Sequence, residues 1–428
     1  MKSNFKYTFF IIALMFMMNV TAQDKRDLDN YKQPDKRGVN VFEAPKDTVS
    51  TFKNVKVRLG GSSTLQYQSL EQKNTSTEFT LSELGKNFNL ATANLDLDVA
   101  LYDGLRMHLR TYLSSQHHTE SYVKGGYIQI DKLEFIREGF MENFMKYATI
   151  KIGHMENNYG DGHFRRSDNA MSIHNPFVGN YIMDAFTTEV GAELYYQRNG
   201  FLGMVGFTNG KLNQNVTDKD QTSPSFLAKF GYDKQINDDF RFRLTGSLFH
   251  SAHNNARGIY LYSGDRAGSR YYSVMSGVNN SDGAAVSDGF RAGRINPDLK
   301  NEMTSFMINP FIKYGGLEFF GIIETAKGKK VSETDTRSWN QFSGELLYRF
   351  GANEKVYFGT RYNTVSGELT SGEDVDINRF QLTAGWFMTK NVLMKAEYVS
   401  QKYKGYSTTD IHKGGEFNGI VLEAAISF

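Results

Sequence analysis

From Val55 to Phe428 the chain alternates apolar and polar residues in short runs separated by polar or glycine-bearing connections. About sixteen such runs can be counted, each near the strand length that a bilayer requires. They fall at 55–68, 88–101, 105–116, 123–131, 147–155, 187–197, 201–208, 225–235, 240–250, 303–314, 317–325, 340–350, 355–366, 376–387, 391–402 and 416–428. Period two places successive side chains on opposite faces of a strand. In the last run Ile420, Leu422, Ala424, Ile426 and Phe428 alternate with Gly419, Val421, Glu423, Ala425 and Ser427. The pattern predicts an all-β fold, an antiparallel transmembrane barrel of about sixteen strands, with the apolar face toward lipid and the polar face toward a lumen.

The connections support the same reading. Asp103-Gly104, Asn199-Gly200 and Gly315-Gly316 are tight hairpin signals, and 236–239 and 351–354 are also short. Longer polar stretches fall between them at 69–87, 156–186, 209–224, 251–302, 326–339, 367–375 and 403–415. Short periplasmic turns alternating with long outer loops are the rhythm of outer-membrane barrels. Residues 132–146 break it. Leu133, Ile136, Phe140 and Phe144 recur there at helical spacing, which predicts a short amphipathic helix, with an extra hairpin as the rival.

Charges set the phase. In 340–350, Phe342, Leu346, Tyr348 and Phe350 oppose Gln341, Ser343, Glu345 and Arg349. In 376–387, Phe380, Leu382, Ala384 and Trp386 oppose Arg379, Gln381 and Thr383. A charge facing the bilayer midplane costs about 2–4 kcal/mol, so the charged sets are assigned to the inside. The basic inward candidates are Lys56, Arg58, Arg106, Arg110, Lys151, Lys229, Arg241, Arg243, Arg349, Arg361, Arg379 and Lys395. Nearly as many acids accompany them: Asp96, Asp98, Glu189, Glu193, Asp233, Glu345, Glu397 and Glu423. A barrel of this size leaves an aqueous channel. The expectation is a wet lumen with mixed charge and weak selectivity, slightly toward anions.

Composition narrows the class. Lys2 and Lys6 precede an apolar run near 9–20 and then Thr21-Ala22-Gln23, which predicts a cleaved secretory signal peptide over 1–22. Residues 23–54 are polar, contain Pro34 and Pro45, and are expected to form an exposed periplasmic tail. The barrel is expected over 55–428. A mean hydropathy of −0.48 fits strands that show lipid only alternate residues. The chain has no cysteine, which excludes thiolate metal sites and cysteine nucleophiles. A formal charge of +2 argues against a nucleic-acid partner. Phe428 is the expected handle for the barrel-assembly machinery, and outer-membrane lipid and lipopolysaccharide are the expected surroundings.

The connection 156–186 is the most distinctive stretch. A loop of this length is usually functional. It carries Gly160-Asp161-Gly162-His163-Phe164-Arg165-Arg166-Ser167-Asp168-Asn169 and then Asn175-Pro176-Phe177, with Glu189-Val190-Gly191-Ala192-Glu193 beyond. It follows the fifth strand, where general porins place a constriction loop, so it is expected to fold into the lumen. Asp161, His163, Arg165, Arg166 and Asp168 would then set a transverse field across a narrow pore. This block resembles one in outer-membrane porins of Bacteroidetes that are similar to the phosphate-selective porins O and P. The resemblance implies a sixteen-stranded, trimeric porin for small anions or other solutes.

The sequence offers little for chemistry or metals. No HExxH, GxSxG or phosphate-cradling Gly-Lys motif occurs, so neither an enzyme nor a cofactor is expected. His117-His118 reads as a loop pair, since adjacent strand residues point apart. Asn279-Asn280-Ser281-Asp282-Gly283 weakly resembles an oxygen-rich Ca²⁺ loop but lacks the following Glu. His108 has the phase of the charged face, which gives no support to a lipid-side hydrolase. Two function classes remain. One is a passive porin for small hydrophilic solutes or ions. The other is a closed barrel acting as adhesin, receptor or scaffold through 251–302, where Arg257, Tyr260, Tyr262, Arg266, Arg270, Tyr271 and Tyr272 have a binding-surface composition.

Overall fold

The computed structural model describes residues 28–47, 49–113, 121–167, 170–210, 222–255, 258–264 and 270–428. The expected signal peptide, the His117-His118 pair, Asp168, Arg257 and Arg266 lie outside the described residues. Sixteen antiparallel strands close into a barrel. They are β1 (Lys56–Lys73), β3 (Asn87–Tyr102), β4 (Leu105–Leu113), β5 (Tyr122–Ile130), β6 (Ala148–Glu156), β7 (Thr188–Arg198), β8 (Phe201–Thr208), β9 (Ser225–Gln235), β10 (Phe240–Ser251), β13 (Glu302–Tyr314), β14 (Leu317–Lys329), β15 (Arg337–Phe350), β16 (Val356–Glu368), β17 (Asp374–Thr389), β18 (Val392–Lys404) and β19 (Glu416–Ser427). Each run of alternation read from the sequence coincides with one of them. Each strand pairs with its neighbour in the barrel order, and β1 closes on β19 with Ser62 opposite Ser427 and Lys73 opposite Glu416. A small outer sheet joins β2 (Phe79–Leu81), β11 (Gly277–Asn279) and β12 (Ala285–Val286). Asn279–Gly283 is the β11–β12 turn, its side-chain oxygens taken by Ser281 and Ala284 amides.

The 131–147 connection holds one turn of helix, α1 (Glu142–Met145), and adds no hairpin. Its Phe144 ring meets Tyr196 of β7 at 5.8 Å.

The predicted phases appear as exposure. Phe342, Leu346, Phe358, Leu382, Trp386, Ile420 and Phe428 are exposed on the outside, while Glu345, Arg361, Arg379, Glu397 and Glu423 are buried on the inside. An outward apolar band of this kind is what bilayer-facing strands carry.

The inside is not an open lumen. Three segments occupy it. The N-terminal segment 28–54 lies across the short-turn end. The Lys36 amide donates to Lys390 O at 2.8 Å, Lys46 Nζ pairs with Asp131 at 3.0 Å, and Ser50 Oγ donates to Asp103 at 2.5 Å. It is therefore not an exposed tail. Asn40, Lys46 and Ser50 of this segment find their partners on the wall, as most buried polar groups do. The β6–β7 connection runs across the barrel to β14–β18. The β10–β13 connection fills the loop end, where Tyr262 Oη donates to Glu324 at 2.7 Å and Tyr271 Oη to Glu397 at 2.6 Å. Phe42, Tyr159, Val178, Ile182 and Tyr271 of these inserts form one apolar core with inward Met307, Phe311, Phe320 and Trp339 of the wall.

Candidate functional site: a basic cavity beside a packed lumen

On the β13–β19 side, inward charges are used to anchor the inserts. Arg165 reaches Glu318 at 2.8 Å, Glu345 at 3.1 Å and Asn40 Oδ1 at 2.6 Å. Arg349 holds the other side of Glu318 at 2.9 Å, and Arg361 pairs with Glu345 at 2.7 Å. Glu397 accepts from the Val178 and Gly179 amides at 2.8 and 3.2 Å as well as from Tyr271. At Gly179 a Cβ would lie 1.9 Å from the Tyr271 hydroxyl, so only glycine lets the two inserts touch there. Lys395 pairs with Glu423 at 2.7 Å and donates to the carbonyls of Ser172, Asn175 and Phe177. Arg379 donates to Gln401 Oε1 at 2.6 Å and to Asn180 O at 2.5 Å.

The β6–β7 insert itself corrects one expectation. Asp161 is fully buried and accepts from Lys229 at 3.0 Å, Arg243 at 2.8 Å and Thr245 at 2.8 Å. Burial alone would raise its carboxyl, but Arg243 and Lys229 hold it well below the ordinary range. Arg166 pairs with Asp184 at 2.5 Å and lies over the Phe186 ring at 4.1 Å. His163 sits between Glu156 at 2.5 Å and Asn158 at 3.0 Å. Asp161, Arg165 and Arg166 are thus ion-paired inside the packing and set no field across open water. Glu43, of the N-terminal segment, completes the cluster against Arg243 at 2.8 Å. Burial would raise it, yet Arg243 and Lys229 draw it down to about 2.

The remaining inward candidates divide by position. Arg241 pairs with Asp233 at 2.7 Å. Glu189 accepts from Thr208. Glu193 accepts from the Asn158 amide at 3.1 Å and from Tyr195 at 2.5 Å. Lys56 lies exposed at the short-turn rim. Arg58, Asp96, Asp98, Arg106, Arg110 and Lys151 come together on the β1–β6 wall, which the inserts leave partly unfilled.

There a cavity of about 150 Å³ runs along β3–β7. Its lining carries five basic side chains, Lys32, Arg106, Arg110, Lys124 and Lys151, against two carboxylates, Asp96 and Glu156. Both carboxylates are engaged, Asp96 with Arg110 at 2.6 Å and Glu156 with His163. Lys151 Nζ lies 4.9 Å from the Tyr195 ring centre, and Lys124 Nζ lies 3.9 Å from that of Tyr112. The Lys32 ammonium is buried with no protein hydrogen-bond partner, 5.1 Å from the Phe164 ring centre. Burial draws it down to about 7, against the pull of Glu156 and Glu43.

Lys32, Glu43, Lys124 and Glu318 did not appear among the sequence candidates. The phase of Glu318, between outward Leu317 and the Phe319 ring, was a usable signal. Lys32 and Glu43 sit in a segment with no period to read.

No family model matches the chain, and no curated protein matches its sequence. Solved structures do match. An anion-selective porin from Comamonas acidovorans superposes with a TM-score of 0.54 at 11% identity, covering 88% of this chain and 100% of that one. The outer membrane channel DcaP of Acinetobacter baumannii gives 0.53 at 10% identity, covering 89% and 100%. OmpT, an outer membrane protein of Vibrio cholerae, gives 0.52 at 11% identity, covering 88% and 99%. The fold is that of the porin barrels. At these identities the likeness concerns architecture alone.

Proposed function

We propose that this chain is a passive channel of a Gram-negative outer membrane that admits small hydrophilic solutes along its β3–β7 wall, with a preference for anions. The observation that carries the reading is the cavity lined by five basic side chains against two engaged carboxylates. A confined path lined by one sign of charge concentrates counter-ions of the other. The outward apolar band supports the membrane setting, and the fold likeness to porins and channels supports conduction. The resemblance of Gly160–Asn169 to Bacteroidetes porins akin to the phosphate-selective O and P group points the same way. A continuous arginine ladder does not support it, because Arg243, Arg349, Arg361 and Arg379 are committed to packing. A homotrimer belongs to this reading, since one neighbour, OmpT of Vibrio cholerae, is described in a trimer form. So do a cleaved leader over 1–22 and a role for Phe428 in delivery to the barrel-assembly machinery.

The test is reconstitution in planar bilayers under a salt gradient. We expect small ohmic steps, well below those of an unobstructed barrel of this strand number, and a reversal potential of the sign for anion preference. An electrically silent protein would overturn the reading.

One observation favours a second reading, a closed barrel serving as scaffold or receptor: the three inserts fill most of the interior. The aromatic and basic residues that suggested an outer binding face do not favour an adhesin. Tyr262, Arg270 and Tyr271 point into the barrel, onto Glu324, Glu423 and Glu397.

A further inference from the structure

The basic cavity does not reach the short-turn end by itself. A second cavity begins there, lined by Asp29, Phe52, Lys53, Lys56, Tyr102 and Arg106, among others. Its Lys53 and Lys56 are exposed at the rim. Arg106 lines both spaces. Tyr31, on the N-terminal segment, lines the first cavity and lies against that shared Arg106. Its hydroxyl donates to Asp98 Oδ2 at 3.1 Å. Its ring centre lies 5.3 Å from the Arg58 guanidinium and 5.2 Å from that of Arg106. Arg106 is fixed in turn by Asp98 at 2.8 Å and by Gln129 Oε1 at 2.7 Å, and Gln129 returns a bond to Asn30 O at 3.3 Å.

We propose that Tyr31 is the constriction residue of the channel: its ring, clamped between Arg58 and Arg106, separates the basic cavity from the short-turn mouth and sets what can pass. This rests on the channel reading above. The two guanidiniums belong to β1 and β4 and are held by the sheet. Tyr31 belongs to an insert and is held by a single hydrogen bond and two cation–π contacts, so it can swing without breaking a strand ladder. When it does, the opening is flanked by two guanidiniums with one carboxylate between them, a gap favourable to anions. The selectivity filter then lies in the N-terminal segment and not in the β6–β7 insert.

Single-channel recording tests this on the full-length protein. Tyr31→Ala should raise conductance by about two-fold or more, because pore resistance concentrates at the narrowest point. Tyr31→Phe keeps the ring and should conduct as the parent does. Because the chain has no cysteine, Tyr31→Cys can be labelled at one place. A negatively charged methanethiosulfonate added to the open channel should then reduce the current, and a bulkier reagent should reduce it further. That measurement uses folded, conducting protein and holds even where Tyr31→Ala assembles poorly. If the parent conducts while Tyr31→Ala and labelled Tyr31→Cys both leave conductance unchanged, the constriction proposal is overturned and the channel stands. Silence in the parent and in all three variants overturns the channel reading and this proposal with it.

Discussion

The β13–β19 wall and the β3–β7 wall carry the same alternation and a similar stock of inward ions, yet they do opposite work. On the first, Glu318, Glu345, Glu397 and Lys395 are spent on side chains and amides of the inserts. On the second, Arg106, Arg110, Lys124 and Lys151 border a cavity. The difference follows from what stands between the charges. Met303, Met307, Phe311 and Phe320 interrupt the polar face of β13 and β14 and give the inserts a dry surface to lean on. The corresponding stretch of β3–β5 offers Asp96, Asp98, Arg106, His108 and Arg110, on which apolar insert residues gain little. A polar face thus becomes an anchor or a passage according to its few apolar members.

The contrast can be broken hardest on the packed side. Arg165→Ala leaves Glu318 and Glu345 buried with one cation fewer, and removing one partner of a buried ionic network costs about 3–5 kcal/mol. Urea unfolding of the protein in detergent should show that loss. A volume-matched Arg165→Met should recover part of it and leave ion preference unchanged, since Arg165 faces no passage. On the cavity side the order reverses. Lys151→Glu should change unfolding free energy by less than about 1 kcal/mol, as for weakly constrained charges. The same change should move the reversal potential clearly toward cations. An unmoved potential would remove β6 from the path.

The smallest effect is a titration. Lys32 is charged below about 7 and neutral above it. Glu156 and Glu43 favour its charged form, and Arg165 and Arg243 oppose it. His163 and His174 are both held below the ordinary imidazole range by burial. Anion preference should therefore weaken as pH rises from about 6 to 8, and Lys32→Met should flatten the curve. Because the folded-state value lies below the unfolded 10.5, the same group makes folding more favourable as pH climbs from about 7 toward 10.5.

The sequence made the barrel readable because period two is local. Each strand declares its own outward face, as Phe380, Leu382 and Trp386 do on β17, and the Asp103-Gly104 and Asn199-Gly200 turns declare their hairpins. The interior was hidden for the opposite reason. Arg165 finds Glu318 across 153 positions, and Val178 finds Glu397 across 219, distances over which no periodicity carries information. The polarity of 28–54 suggested solvent. Its polar side chains in fact meet wall charges, Asn40 with Glu318 and Lys46 with Asp131. Composition reports that a segment needs polar surroundings, not whether water or protein supplies them.

Arg270 has one consequence for how the molecule is made. It comes from the middle of the chain, yet its guanidinium bonds both Glu423 on β19 and Thr64 on β1. Thr64 lies opposite Ala425, near the other end of the chain, and the two strands become neighbours only when the cylinder is sealed.

 The seam is thus stapled from within by a residue that belongs to neither edge. Such a two-sided bond cannot form before the two ends of the sheet have met. A correctly joined cylinder is rewarded, and a mispaired one is left without its rivet.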